Sequence, residues 1–391
     1  MMGKVELTYP TPRPPMIGHY LARRPSVALL TAVIDRFCSV FGSAAEPAQP
    51  IAIKSILVSQ CGHLGDLIMT LPALHWIRQN RPEVRIGLVV GSWAKPVLDG
   101  IAGLYDKTYF ADHFMLDRSA RSRKEKILEH RLTWSNAVNE IRRDRYDVGM
   151  ECFPFLPNAI LLLFASRIPI RVGFTSGGFG PLLTRPVTWR HEGRPYLDYL
   201  RDLLKVIFPD PSLSEPLQAY YPPPAAADLP QAPYIVLHSG AGNRLREWPD
   251  DRWISLASDL AEQGVSIVLA GSGERERERA ERIQANVGSA IINLCGQLTW
   301  DEFVALIAGA SHVVCLESST SHVAAAFRIP STVIMSGTNE YRQFGPANVN
   351  ARILRYNTPC APCFRTTGCE HMICLKGVTA DQVFQSIAPQ L

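Results

Sequence analysis

From Ile51 onward, apolar positions fall into two alternating kinds of block. Short runs bounded by Gly, Pro or charged residues ("KSILVS", "VRIGLVV", "DKTYF", "YDVGME", "IRVGF") read as buried strands. Longer stretches with apolar residues three and four apart ("GDLIMTLPALHWIRQN" and "SRKEKILEHRLTWSNAVNEIRRDRY") read as helices. Residues 208–233 are dense in proline, lack periodicity and read as an interdomain connection. A second set follows, with strands "YIVLHS", "VSIVLAGS", "AIINL", "HVVCLE" and "STVIMSG". Its helices fall at about Asp250–Gln263, Glu274–Ala285, Trp300–Ala308 and Thr320–Phe327, the third opened by a Thr299/Glu302 capping box. This alternation predicts an α/β chain of two Rossmann-like parallel-sheet domains, 51–207 and 234–378, facing a central cleft, with a helix over 379–391.

The first fifty residues read as an extension. After the proline-rich "YPTPRPP", the residues Val27, Leu30, Ile34, Phe37 and Phe41 recur at helical spacing behind Arg23 and Arg24. A helix packed on the main body is the first reading, a membrane-surface helix the second. A signal peptide comes third, because Asp35 and Arg36 interrupt the apolar run. Apolar residues make up 47% of the 391 and charged residues 19%, which excludes a disordered chain. A net charge of +4 suits an acidic substrate or lipid surface but is too small and dispersed to argue for nucleic acid.

Three loops could carry chemistry. In "SQCGHLGDLIMTLPAL" a glycine turn leads from strand to helix, an arrangement that usually cradles phosphate, yet Asp66 stands where the anion would sit. In "CLESSTSHVAAAFRIP" a helix start offers the hydroxyls and N–H groups of Ser318, Ser319, Thr320 and Ser321, with His322 one turn in. That is a seat for a diphosphate. In "HSGAGNRLREWPDDRW" Gly240 and Gly242 let backbone approach a ligand, and Arg244 or Arg246 could neutralise the diphosphate from the other side. Neither of these last two loops matches a dinucleotide or P-loop fingerprint, which argues against hydride transfer and ATP hydrolysis. If the second domain holds a departing diphosphate, the first is free to hold an alcohol acceptor, and Asp66 becomes a general base. The charged run "ERERERAERI" reads mostly as a solvated helix face.

Together these motifs resemble glycosyltransferase family 9, the ADP-heptose:lipopolysaccharide heptosyltransferases of GT-B fold, from about Lys54 to Val383. The resemblance implies Asp66 as catalytic base, Arg246 in "REWP" as a phosphate contact, and Glu317, Ser318, Ser319 and His322 at the nucleotide diphosphate, beside the Thr320 already read at that helix start. It also implies Glu274 at the nucleoside, with Glu276 in reserve. Glu317 stands in place of the usual aspartate and Ser319 in place of a glycine. The function implied is inverting transfer of a sugar, heptose by resemblance, from an ADP-sugar to a hydroxyl of a lipopolysaccharide core or related glycan. No cofactor is required for catalysis, and the setting is cytoplasmic with contact at the inner-membrane surface. His63, Gly65 and a basic patch of Arg118, Arg121, Arg123 and Lys124 are the expected acceptor side. A heptosyltransferase acting on a protein acceptor and a non-catalytic nucleotide-sugar or metal-binding scaffold are the alternatives.

Four of nine cysteines crowd into "CAPCFRTTGCEHMIC": Cys360, Cys363, Cys369 and Cys374. Their spacing suits structural zinc or iron, remote from the chemistry; disulfides and unligated buried thiols are the other readings. Iron-binding cysteines of this kind are known in some members of the resembled family.

Overall fold

The computed structural model describes residues 16–22, 25–41, 52–190, 193–365 and 367–387. Two six-stranded sheets, each parallel throughout, form its two halves. The first runs, edge to edge, Lys107–Phe110, Arg85–Val90, Ser55–Gln60, Val148–Glu151, Ile170–Phe174, Arg185–Val187. The second runs Ile291–Asn293, Ile267–Leu269, Ile235–His238, His312–Leu316, Ser331–Ile334, Ala351–Leu354. In each, strand order reverses beside the first strand of the set, so a ligand crevice opens at the carboxyl ends of Ser55–Gln60 and Ile235–His238.

The central strands are buried on both faces, which is why they read as unbroken apolar runs. Both sixth strands escape that reading. Arg185–Val187 contains a proline and Ala351–Leu354 is interrupted by Arg352, as suits edges paired on one side only and partly open to solvent. The helix Tyr196–Ile207, which buries Leu200, Leu203 and Leu204, is a further element the sequence pattern did not reveal.

Between the domains, residues 208–233 are irregular apart from the short turn Pro211–Ser214, with Tyr221 buried and its hydroxyl accepting from Trp300 Nε1 at 2.8 Å. One hydrophobic cluster runs through both halves, from Ile68 and Leu71 to Val323 and Ala324. The C-terminal helix, Ala380–Ile387, packs Val383 and Ile387 into the second domain's core with Trp253 and Leu256.

In the extension, the helix Pro25–Phe41 lies on the first domain, burying Ala28, Thr31, Asp35 and Cys38. Cys38 shares a cluster with Ile160, Leu182 and Leu183, and Asp35 accepts a hydrogen bond from Tyr20 at 3.0 Å. "YPTPRPP", Arg23 and Arg24 lie outside the described residues. Among the described residues no helix is long and apolar enough to cross a membrane.

Candidate active site

Asp66 is the third residue of the helix Leu64–Asn80, which starts where the strand Ser55–Gln60 ends. Its carboxylate folds back over the glycine turn, accepting from the His63 N–H at 2.8 Å. A methyl group on Gly62 would lie 2.6 Å from the same oxygen, so glycine is what admits this fold-back. The turn is held from three sides. Trp93 Nε1 donates to the Gly62 carbonyl at 2.7 Å, Gly62 N–H donates to Gln60 Oε1 at 3.2 Å, and the Gln60 amide donates to Thr70 at 3.0 Å. A helix N-terminus favours a carboxylate at this position, and the fixed turn presents it at the crevice.

Across the crevice stands the helix Ser319–Ala326, with Ser318 immediately before its first turn. The two helix starts meet: a methyl on Gly65 would lie 3.8 Å from the Ser319 backbone nitrogen and 3.5 Å from His322 Cδ2. The Ser318 hydroxyl does not cap its helix. It and the Thr320 hydroxyl are buried with no hydrogen-bond partner among the described residues. Buried hydroxyls left unpaired at a helix N-terminus are ready for an anion, since each would otherwise be desolvated for nothing.

Glu317 takes a different place from the one its motif suggested. It is buried, and its Oε1 accepts from Ser336 at 2.6 Å and Thr338 at 3.0 Å while pairing with Arg246 Nε at 2.9 Å. Arg246 also reaches Thr338 Oγ1 at 3.2 Å. Glu317 thus positions the arginine, and its other oxygen has no partner among the described residues.

The electrostatics follow from enclosure. Burial pushes the Asp66 carboxyl above its usual range, against the opposing pull of the His63 N–H and the Arg118 and Arg246 charges. Burial likewise lowers His322 to about 4 and His63 to about 3, the latter helped by Arg118 and Arg246. Both imidazoles are therefore neutral near pH 7, and His322 can meet a diphosphate by hydrogen bonding but brings no charge of its own.

Of the basic patch, only Arg118 reaches the crevice. Its guanidinium lies against the second domain, where a methyl on Gly242 would overlap it. Arg121 instead pairs with Asp117 at 3.3 Å and Glu129 at 3.6 Å, and Arg123 and Lys124 are exposed at the start of the helix Arg123–Asp144.

The two glutamates of the charged run also separate. Glu274 is exposed and pairs with Arg277 at 2.5 Å on the outer surface, which removes it from the site. Glu276 turns inward: its carboxylate accepts from Ser272 N–H at 2.9 Å, lies 3.8 Å from His238 Nε2 and occupies the space a side chain on Gly240 would need. Nor is the run a purely solvated face. Arg279 is buried, bonding Asp250 at 2.5 Å, Glu247 at 2.9 Å and the Ser239 carbonyl at 2.9 Å, and so fixes the ends of the Gly240–Gly242 loop.

These two facing helix starts, the carboxylate on one and the anion seat on the other, can be set beside known proteins. Residues 134–373 match glycosyltransferase family 9 (heptosyltransferase). The chain belongs to this family. Lipopolysaccharide heptosyltransferase 1 of Pseudomonas aeruginosa is 27% identical over 330 residues, 80% of this chain and 86% of that protein. Among solved structures, the family-9 chain resembles Escherichia coli ADP-heptose lps heptosyltransferase II at TM-score 0.64 and 20% identity, covering 86% of this chain and 98% of that one. It resembles E. coli heptosyltransferase WaaC with ADP-2-deoxy-2-fluoro heptose at TM-score 0.65 and 19% identity, over 86% and 100% of the two chains. The two-sheet architecture is thus GT-B-like, and the chain is a glycosyltransferase by family.

The cysteine segment departs from expectation twice. All four thiols are free, and among the described residues no set of three or more His, Cys, Asp or Glu side chains is arranged to hold a metal ion. Cys360 is exposed beside Thr358 at 3.3 Å, whereas Cys374 is packed against Gly337 and burial raises its pKa. The zinc or iron expected from spacing is therefore not supported, although Cys360, Cys363 and Cys369 lie near enough to Cys374 to add to the rise in its pKa. Nor is the segment remote from the site: Cys363 N–H donates to the Gly337 carbonyl and Phe364 N–H to the Thr338 carbonyl, both at 2.8 Å. It braces the loop whose Thr338 holds Arg246.

Proposed function

We propose that the chain transfers heptose from ADP-heptose to a hydroxyl of a lipopolysaccharide core acceptor, with inversion, on the cytoplasmic side of the inner membrane. The observation that carries the mechanism is the facing pair: a carboxylate at one helix start and unpaired buried hydroxyls at the other. Asp66 takes the acceptor proton as the oxygen attacks the anomeric carbon, on the face opposite the leaving diphosphate. Its raised pKa favours that proton transfer. The N–H groups and hydroxyls of Ser318 to Thr320, Arg246 and neutral His322 receive the departing charge. Arg118, which meets both the Asp66 field and the Gly242 loop, holds the acceptor's acidic groups near the base. Glu276, beside Gly240 and His238, faces the nucleoside.

The support for heptose and ADP is family membership and the names of the relatives; the support for the residue roles is position. The test is incubation of the purified chain with ADP-heptose, UDP-glucose or GDP-mannose and a heptose-deficient lipopolysaccharide, read by mass spectrometry of the acceptor. Addition from ADP-heptose alone is expected. Addition from another nucleotide sugar would move the donor assignment. Transfer to a protein but not to the lipopolysaccharide would replace the acceptor, and donor binding without transfer to either would favour a scaffold.

A further inference from the structure

The helix Pro25–Phe41 carries apolar residues on both of its sides. The face it turns to the protein buries the small or polar residues Ala28, Thr31, Asp35 and Cys38, with Val27 and Ile34 packed partly buried beside them. The opposite face carries Leu29, Leu30, Val33 and Val40, which are 55–77% exposed, and Phe37 on the same side is exposed as well. At about 100° per residue these positions fall within roughly 100° of arc, one continuous apolar stripe. Water is a poor neighbour for such a stripe, and a fold whose only need was to anchor the helix would have turned it inward.

Charge on the helix is arranged to match. Its one acid, Asp35, is buried and bonded to Tyr20, so Arg36 is the helix's only exposed charge among the described residues. Arg36 sits at the edge of the stripe by the same angular count, and Arg23 and Arg24 precede the helix in sequence. The adjoining helix Ile160–Ala165, which shares a cluster with Cys38, adds exposed Leu161, and exposed Arg142 donates to its terminal Ala165 carbonyl at 2.8 Å. At 17 residues the helix is about 25 Å long, short of a span, and it is fixed to the domain along its length. We propose that this face docks in the plane of an anionic lipid surface, with the apolar stripe among the acyl chains and arginines at the phosphates. The surface and the transfer site are separate, so this docking stands whether or not the donor assignment does.

The test is co-sedimentation of the full chain with phosphatidylcholine vesicles with and without phosphatidylglycerol. Wild type should partition strongly onto the anionic vesicles. Leu30→Glu/Val33→Glu should lower the partition coefficient at least tenfold while leaving the thermal midpoint unchanged. Arg36→Gln should lower it about fivefold, the loss of one cation at the surface. Val349→Glu, at an exposed apolar position of the second domain, should change nothing. Failure of the wild type to bind, equal binding to neutral vesicles, or retention by the Leu30/Val33 variant would overturn the proposal. So would a dimer in solution that dissociates on the same substitutions, since a second copy would then be what covers the stripe.

Discussion

Replacing Arg246 by Met should separate two roles that its geometry fuses. Its guanidinium is the buried Glu317's only cationic partner among the described residues, at 2.9 Å. Removing it leaves a desolvated carboxylate held only by the Ser336 and Thr338 hydroxyls. A broken buried pair costs about 3–5 kcal/mol when the orphan must stay charged. Glu317 has an escape, because burial already raises its pKa. Neutralising a glutamate at pH 7 costs about 1.36 × (7 − 4.3), or about 3.7 kcal/mol, which caps the loss; at pH 5 the same cap is about 1 kcal/mol. A carboxyl whose folded pKa is raised destabilises the fold above its unfolded pKa, and the penalty fades as pH falls towards that value. The Arg246→Met deficit in urea unfolding should therefore shrink from at most about 3.7 kcal/mol at pH 7 to at most about 1 kcal/mol at pH 5. Adding Glu317→Gln should restore stability at pH 7 without restoring donor affinity, which the loss of one charge-assisted contact lowers roughly 10- to 100-fold. A deficit independent of pH, or one that Glu317→Gln does not relieve, would refute the pairing. Restored donor affinity in the double variant would refute Arg246 as a phosphate contact.

Glu276→Ala should weaken ADP binding by calorimetry about tenfold, whereas Glu274→Ala, on the outer surface, should leave it unchanged. Gly242→Ala should displace the Arg118 guanidinium, a flexible tip, so turnover on an acidic acceptor falls while the thermal midpoint stays put. Arg279→Met removes the buried guanidinium that ties Glu247 and Asp250 to the Ser239 carbonyl, but Glu247 keeps Arg275 and Asp250 keeps Arg282, each at 2.6 Å, so it should cost roughly 1–3 kcal/mol in chemical denaturation.

The central strands and all four helices expected in the second domain were legible because parallel strands and amphipathic helices write burial directly into apolar spacing. The edge strands Arg185–Val187 and Ala351–Leu354 were not, since a proline in the first and an arginine in the second break the apolar run, whereas the opposite edges Lys107–Phe110 and Ile291–Asn293 keep enough of it to be read. At the site, Asp66 stood out because an acid in a glycine turn conflicts with the usual phosphate reading. The residues that fix it, Gln60 and Trp93, did not, because their hydrogen bonds depend on tertiary placement and follow no spacing rule. The same holds for Thr338 behind Arg246. Glu274 and Glu276 stand two positions apart in one helix, and only the direction each side chain takes decides which faces the crevice.

The account turns on Asp66. Asparagine at this position keeps an oxygen to accept from His63 N–H, so the turn and the donor seat should survive while the base is lost. The decisive measurement is turnover of Asp66→Asn at saturating ADP-heptose, alongside its donor affinity. A 100- to 10,000-fold fall in rate with donor affinity within about twofold of wild type is predicted. Turnover within a few-fold of wild type would contradict the account.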